Sequence, residues 1–239
     1  MPTIQTNCAL QALFFFTLTL SSRAQPRQPD SISSPAAARA ALYYQSYIGA
    51  NAAIYNGCVY QQTYIGVEGS PYFLSDNLTD GSVVYEDLPY THLLLLYNTV
   101  LDQPVLADRQ GRLLSLPNGK VSQFTIDGHI FIHLSAGNIP SGYYELLRSG
   151  YATLLLRHTK RLEEKLGGEI RRYITSQENY YVYKNGHYYS FGSVNGLISL
   201  LSDKQQQLQR YRRSEHIRFR KDPLTAAERL IDYYNQLPR

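Results

Sequence analysis

The stretch Val121–Leu134, VSQFTIDGHIFIHL, decides how the rest of the chain is interpreted. It consists of two alternating runs joined by Asp127-Gly128. This dipeptide is typical of a type I′ two-residue turn, because both central positions of that turn need a positive φ. The stretch therefore predicts an antiparallel hairpin. Alternation gives its second strand two faces: Ile130, Ile132 and Leu134 on one, His129, Phe131 and His133 on the other.

Turn signals of the same kind recur along most of the chain. Short alternating runs lie between Ala53 and Phe191, separated by clusters such as Asn185-Gly186, and Glu163–Gly168 is interpreted as a charged connection. Turns at this spacing favour an antiparallel meander over β-α-β units. So many strands must curl or split into two packed layers. The sequence predicts a mainly β (α+β) fold built on a curved sheet, a sandwich or a barrel.

Helical patterns flank the predicted sheet. Ser34-Pro35 supplies an N-cap and an N1 proline for a helix that ends near Gly49. Towards the C-terminus one helical face is formed by Leu197, Leu200, Leu201, Leu208 and Tyr211. After an extended link over His216–Lys221, Asp222-Pro223 caps a last helix, whose apolar face is Leu224, Ala227, Leu230, Ile231 and Tyr234. We expect one N-terminal and two C-terminal helices packed on the sheet.

The first 24 residues have the pattern of an export signal. Cys8–Leu20 is an apolar core and Ser22-Arg23-Ala24 is a small-x-small cleavage pattern, although no Lys or Arg precedes the core. We expect a signal peptide over 1–24, a flexible lead-in over 25–33, and a single β-rich domain over 34–239 with a helical segment over 195–239. The mature chain would be periplasmic or secreted, without a transmembrane segment.

Two single-residue signals say little about function. Removal of residues 1–24 would leave Cys58 as the one cysteine, which excludes an intramolecular disulfide. We expect Cys58 to be a buried small hydrophobic residue rather than a nucleophile. Asn77-Leu78-Thr79 matches a glycosylation sequon, a short pattern that often arises by chance.

Charge is distributed unevenly along the chain. Residues 25–119 contain four Lys/Arg against eight acids, whereas residues 120–239 contain eighteen against eleven. Much of this basic excess lies between Lys204 and Lys221. Because an exported protein rarely meets nucleic acid, the segment indicates an anionic envelope surface or protein partner, or else a solvated helix face. The candidate contact residues are Arg212, Arg213, Arg218, Arg220 and Lys221.

Recognised catalytic and cofactor motifs are absent from the sequence: it contains no GxSxG elbow, P-loop, dinucleotide-binding glycines or SxxK element. His129 and His133 have metal-pair spacing, but on a strand they lie about 13 Å apart, too far to ligate one ion. The acid pairs Glu163-Glu164 and Asp76/Asp80 lie in predicted loops and are interpreted as solvated. We predict no catalytic, cofactor-binding or metal-ligating residues, and no cofactor.

The run Tyr180–Phe191, YYVYKNGHYYSF, is rich in tyrosine. It would suit an aromatic platform for a sugar or a peptide. Cross-strand aromatic pairing explains the same pattern, since each pair stabilises a sheet by a few tenths to about 1 kcal/mol. We favour pairing.

The skeleton of turns and aromatic residues resembles that of uncharacterised exported proteins of Bacteroidetes-type bacteria. The matching stretches span nearly the whole mature chain and include Tyr55-Asn56-Gly57, Gly69–Phe73, Gly81–Tyr85, Leu96–Asn98, Gly142–Glu145, Tyr180–Tyr183, Phe219–Asp222 and Tyr233–Asn235. That group has no assigned activity. The resemblance therefore implies a Gram-negative exported protein and transfers no functional residues.

Three classes of function stay open. The leading hypothesis is an exported, non-enzymatic binding or structural module of unidentified ligand and oligomeric state. The first alternative is a carrier that holds an apolar ligand in a barrel-like cavity, with the helices as a lid. The second is an enzyme of unrecognised class, which needs at least three convergent polar groups drawn from His129, His133, Glu145, Asp102 or the tyrosines.

Overall fold

A single β-sheet organises the part of the chain that the structure, a computed structural model, describes: residues 53–61, 64–135, 137–165 and 170–238. Within these ranges the strands are β1 Cys58–Val59, β2 Val67–Glu68, β3 Thr79–Tyr85, β4 Leu88–Asn98, β5 Gln103–Ala107, β6 Leu113–Ser115, β7 Val121–Ile126, β8 His129–Leu134, β9 Gly142–Arg148, β10 Thr153–Lys165, β11 Arg171–Lys184 and β12 His187–Phe191. Three α-helices follow them: α1 Val194–Leu200, α2 Gln205–Ser214 and α3 Pro223–Gln236. Short 3-10 turns cover Ala53–Tyr55, Asn118–Lys120 and Ser202–Lys204.

The strands form an antiparallel meander over most of the sheet. Their order is β1-β6-β5-β4-β3-β7-β8-β9-β10-β11-β12, and from β7 onward each strand pairs with the next along the chain. Among the described strands, only β2 pairs in parallel, with β11. The order begins at β1 and ends at β12, so the sheet is not closed. The predicted mainly β, antiparallel fold is confirmed.

Tight turns join the hairpins as predicted. Asp127 and Gly128 have φ values of 49° and 79°, and Asn185 and Gly186 have 52° and 81°. Glu86 and Asp87, between β3 and β4, also both have positive φ, at 48° and 64°. That turn contains no glycine, so the sequence gives no Asn-Gly or Asp-Gly signal for it.

The sheet is rolled. Tyr97 on β4 and Tyr143 on β9 belong to strands four places apart, which in a flat sheet would be about 19 Å. Their ring centroids are 6.0 Å apart. Phe124 and Phe131 stack between them with centroids 4.8 Å apart, and all four side chains are buried. The inside of the roll is therefore an aromatic core.

Asp102, in the turn after β4, holds the roll together. Its carboxylate accepts hydrogen bonds from the Tyr97 hydroxyl at 2.5 Å and from the Tyr143 backbone N–H at 3.3 Å, and it lies 3.5 Å from Arg157 of β10. Gly142 is required beside it, because a Cβ there would lie 2.0 Å from Asp102 Oδ2 and the φ of 145° is unfavourable for other residues. The turn after β4 therefore docks against β9 and β10.

The helices cover the sheet where the roll ends. Their buried residues pack on the face of β10–β12 formed by Leu154, Leu156, Tyr180, Val182 and Phe191. The predicted helical faces are confirmed: Leu197, Leu201, Leu208, Ala227, Leu230, Ile231 and Tyr234 are buried, and Leu200, Tyr211 and Leu224 pack against the same cluster. Asp222 caps α3 by accepting from the Thr225 N–H.

The C-terminal segment contains three described helices where two were expected. Ser193 caps α1 by accepting from the Gly196 N–H, and the 3-10 turn Ser202–Lys204 separates α1 from α2. Asp203 in that turn accepts from Lys184 Nζ at 2.5 Å and from the Tyr234 hydroxyl at 2.9 Å. The break brings this carboxylate to β11 and α3.

Two local expectations are wrong. Residues 163–165 continue β10 and are not a connection, because β10 and β11 extend as a hairpin from Thr153↔Tyr183 to Lys165↔Arg171. Cys58 is exposed on edge strand β1 rather than buried.

The expected signal peptide, the lead-in and the N-terminal helix lie outside the described residues. Within the described ranges, no helix combines the length and the apolar character that crossing a bilayer requires.

The two edges of the sheet differ. The β1 edge is two residues long, whereas the β12 edge has five. The Asn138 side-chain amide, from the loop between β8 and β9, donates to the Tyr188 carbonyl of β12 at 2.6 Å. Ile139 of the same loop is buried against an outer cluster that includes Tyr144, Leu155 and Tyr181. This loop therefore packs beside the longer edge.

The attachment of α3 to the sheet can be tested at Asn235. Its side-chain amide donates to the Ala152 carbonyl at 3.0 Å and its carbonyl accepts from the Ala152 N–H at 2.9 Å, and Ala152 is fully buried. Asn235→Ala leaves both backbone groups without these partners, so we expect the free energy of unfolding to fall by about 2–4 kcal/mol in urea denaturation. Gln236→Ala, at an exposed position of the same helix, should change it by less than about 0.5 kcal/mol. Equal losses in both variants would contradict this role of Asn235.

Candidate functional site

A basic cleft forms where the link after α2 meets α3. It has a volume of about 400 Å³ and is lined by His216, Ile217, Arg218, Lys221, Asp222, Thr225, Ala226 and Arg229. Ile217 and Ala226 are buried and supply an apolar floor. The carboxylate of Asp222 is bound to the N–H of Thr225. Cationic side chains therefore outnumber carboxylates around the opening.

Arg218 and Lys221 are the two predicted contact residues that line this cleft. Both are exposed, and neither has an ion-pair partner among the described residues. Arg229, which the sequence did not single out, is held by the carboxylate of Glu215. The basic cleft therefore combines an anchored guanidinium with two cationic side chains that can reorient.

The other predicted contact residues do not line the cleft. Arg213 and Arg220 are exposed elsewhere on α2 and the link. Arg212 is half-buried, and its Nη1 donates to the side-chain oxygen of Asn195 on α1 at 2.5 Å. The structure thus brings together two of the five predicted residues.

An aromatic cleft of about 550 Å³ lies between the β11–β12 hairpin and the start of α3. It is lined by Glu178, Asn179, Tyr180, Ser190, Phe191, Gly192, Phe219 and Pro223. Three of these residues form a triangle of rings, with centroid distances of 5.6 Å for Tyr180–Phe219, 5.8 Å for Tyr180–Phe191 and 6.2 Å for Phe191–Phe219. The pattern of the link explains Phe219, since Ile217 and Phe219 pack inward and Arg218 and Arg220 are exposed.

The Tyr-rich hairpin behaves as cross-strand pairing predicts. Tyr183 and Tyr188 are directly opposite in the β11–β12 ladder, and their ring centroids are 4.6 Å apart. Tyr180 and Phe191 form a second opposite pair. Pairing therefore accounts for these four rings, although the second pair also borders the aromatic cleft.

A buried carboxylate between two imidazoles marks the junction of the aromatic core and the helices. Glu145 on β9 accepts from His129 Nδ1 of β8 at 2.5 Å and from His158 Nε2 of β10 at 2.6 Å. The ladder explains this meeting, because Phe131 and Leu156 lie directly opposite Glu145. His129 precedes Phe131 by two residues and His158 follows Leu156 by two, so both histidines lie on the same face as Glu145. We call His129, Glu145 and His158 the imidazole–carboxylate cluster.

The surroundings of this cluster keep the carboxylate ionised. Burial raises the pKa of Glu145, but the hydrogen bonds from His158 and His129 outweigh burial and hold the pKa below its ordinary value of 4.5. Phe73 covers both imidazoles with edge-on contacts at 4.9 and 5.1 Å. Glu145 thus needs both histidines as hydrogen-bond donors.

Phe73 is held over the cluster by a lysine of β10. Lys160 Nζ donates to the backbone carbonyls of Ser70, at 3.0 Å, and of Tyr72. Burial lowers the pKa of Lys160. The Phe73 N–H also donates to the Tyr97 carbonyl at 2.8 Å, which ties the segment before β3 to β4.

The chemistry available to the cluster follows from its exposure. The Glu145 side chain is 7% exposed and the His129 side chain is 38% exposed, so His129 is the more accessible partner of this pair. A carboxylate that orients an imidazole is one element of general acid–base catalysis. His133 does not join the cluster and packs edge-on against Tyr143 at 5.1 Å. The described residues contain no group of three or more His, Cys, Asp or Glu side chains arranged to hold a metal ion.

The sequence places His129 and Glu145 among the polar groups whose convergence would indicate an enzyme. It gives no such indication for His158. A meander with known registers would have placed all three on neighbouring strands. The register between β9 and β10 shifts at Leu154/Leu155, which no sequence pattern shows. The histidine on β10 was therefore not assignable to the face of Glu145.

Comparison with protein-family models, with curated proteins and with solved structures found no match. The resemblance to exported bacterial proteins therefore stays a prediction.

The role of the cluster can be tested through the pH dependence of stability. Because the pKa of Glu145 is lowered on folding, its contribution is present above its ordinary value of 4.5 and is lost as the pH falls through the lowered pKa. Glu145→Gln should cost about 2–4 kcal/mol of unfolding free energy at neutral pH, because a buried amide cannot satisfy both donors as the carboxylate does. Urea denaturation in acid should show a smaller difference from wild type.

The matched control is Glu164→Gln on the same sheet, whose side chain is 47% exposed. It should change stability by less than about 0.5 kcal/mol at either pH. A cost for Glu145→Gln that does not depend on pH would show that the charge of Glu145 is not what matters.

Proposed function

We propose that this chain is an exported, non-enzymatic binding module that holds the phosphate groups of an anionic envelope surface at the basic cleft. The observation that supports it best is the convergence of Arg218, Lys221 and His216 with the anchored Arg229 around one opening. Guanidinium and ammonium groups on an exposed surface attract anionic headgroups, at about 1 kcal/mol for each cation near the surface.

The apolar floor of the cleft favours a bound group over a purely solvated helix face. Ile217 and Ala226 are buried beneath cations that project into solvent. A phosphate in the opening would meet charge-assisted donors from Arg218 and Lys221 without displacing an existing ion pair of either side chain. Arg229 differs from these two side chains, because its guanidinium already forms an ion pair with the Glu215 carboxylate.

Export and the non-enzymatic character rest on the sequence. The apolar core Cys8–Leu20 with the small-x-small pattern at Ser22-Arg23-Ala24 supports export, and the lack of a recognised catalytic motif supports a binding role. The imidazole–carboxylate cluster is the observation that favours an enzyme. Since its carboxylate is satisfied by two histidines beneath Phe73, we give it a structural role and retain catalysis as the second candidate.

A carrier of an apolar ligand has less support. The strands do not close into a barrel, and the inside of the roll is filled by the rings of Phe73, Tyr97, Phe124, Phe131 and Tyr143. Both clefts described above lie beside the helices and contain charged side chains.

The proposal predicts binding to vesicles that contain phosphatidylglycerol and not to vesicles of phosphatidylcholine alone, measured by co-sedimentation at low salt. Arg218→Ala/Lys221→Ala should weaken binding about tenfold or more, because two cations near the surface are lost. Added salt should also weaken the binding of the wild-type protein, because it screens the attraction between the cations and the lipid headgroups.

The control variant Arg161→Ala/Arg171→Ala removes the same charge from exposed positions on the β10–β11 hairpin. It should bind like the wild type. Equal losses in the two double variants would assign binding to net charge and not to the cleft. Failure of the wild type to prefer phosphatidylglycerol would overturn the proposed function. If the protein bound an acidic peptide and not these vesicles, the partner would be a protein.

A further inference from the structure

The aromatic cleft has a charge opposite to that of the basic cleft. Among the described residues that line it, Glu178 is the only ionisable acid or base apart from the Tyr180 phenol. Arg218 and Lys221 are close in sequence to Phe219, but they line the basic cleft instead. The link between α2 and α3 therefore separates an acidic, aromatic cleft from a basic one.

Glu178 is held with its carboxylate fixed at this cleft. Its Oε2 accepts from the Tyr180 hydroxyl at 3.0 Å, and its Oε1 lies 3.9 Å from Nδ1 of His158 in the imidazole–carboxylate cluster. The side chain is still 53% exposed. A ligand can therefore reach the Glu178 carboxylate. The orientation of this carboxylate is set by its contacts with Tyr180 and His158.

The electrostatic environment of Tyr180 agrees with a negative cleft. Burial raises the pKa of its hydroxyl, and the charges of Glu178, Asp222 and Glu145 raise it further. The phenol therefore stays neutral and donates to Glu178. Three carboxylates, those of Glu178 on β11, Asp222 at the start of α3 and Glu145 on β9, thus raise the pKa of the same hydroxyl.

We propose that the aromatic cleft binds a small organic cation, an alkylated ammonium group that contacts the ring cluster of Tyr180, Phe191 and Phe219 from the cleft and faces the Glu178 carboxylate. Aromatic rings attract alkylammonium ions through their negative faces, and aromatic cages use this interaction to recognise quaternary ammonium groups. A volume of about 550 Å³ is sufficient for a ligand of this size. This site is separate from the basic cleft and does not depend on the function proposed for it.

Choline and its uncharged isostere, in which a tert-butyl group replaces the trimethylammonium group, test the proposal directly. Titration of the ¹⁵N-labelled protein should produce saturable amide shifts that are largest at Asn179 and Gly192. The isostere has nearly the same shape without the charge, so we expect it to bind about fivefold or more weakly. Equal binding of the two compounds would overturn the requirement for a cation.

Variants distinguish the carboxylate from the rings. Glu178→Gln keeps the shape of the side chain and should weaken choline binding about fivefold or more, and Phe219→Leu should weaken it at least threefold. Glu164→Gln on the same hairpin, six residues or about 20 Å further along the strands, should leave it unchanged. The amide spectra also report whether each variant is folded.

Shifts centred away from the cleft, or no saturable shift at millimolar choline, would overturn the site. Loss of choline binding in Glu164→Gln equal to that in Glu178→Gln would do the same, because it would assign the effect to net charge.

Discussion

Contact between the rings of Tyr97 and Tyr143 requires the sheet to roll, since these residues lie on strands four places apart. The roll has two consequences. It brings the turn after β4 back to β9 and β10, where Asp102 binds both strands. It also ends at β10, so the same face of β10–β12 needs another cover, which α1–α3 provide. One sheet face is thus buried in two ways, by its own curvature and by helices.

The polar cluster lies where these two kinds of burial meet. Glu145 lies opposite Phe131 of the aromatic core and Leu156 of the helix-covered cluster. Its carboxylate is satisfied by histidines on both neighbouring strands. Because side chains alternate between faces, a one-residue slip of β9 would move this charge to the opposite face, away from both donors. The cluster therefore opposes misregistration of three adjacent strands, a role that buried polar groups fill in some folds at a cost in stability. It also places His158 behind Glu178, which connects it to the aromatic cleft.

Local chemistry made part of this fold predictable. Asp127-Gly128, Asn185-Gly186 and the Asp222-Pro223 cap act within a few residues, and each forms as the sequence indicates. The roll is not visible in the sequence because it depends on contacts between distant strands. The prediction missed residues 163–165 of β10 for a different reason: their side chains are exposed, so no apolar alternation marks them as strand. At the candidate sites, basic composition pointed to Arg218 and Lys221, whereas Arg229 and Glu178 required the packing of α3 and the register of β11.

An open sheet leaves two rows of backbone groups that further strands can join. Here one row is only two residues long, and along the other the Asn138 amide already occupies the carbonyl of Tyr188. The loop between β8 and β9 therefore occupies one of the backbone groups that a further strand would need at this edge. The same cross-strand tyrosine pairing that stabilises the hairpins also favours the pairing of exposed edges, so even one occupied carbonyl makes this edge a poorer template.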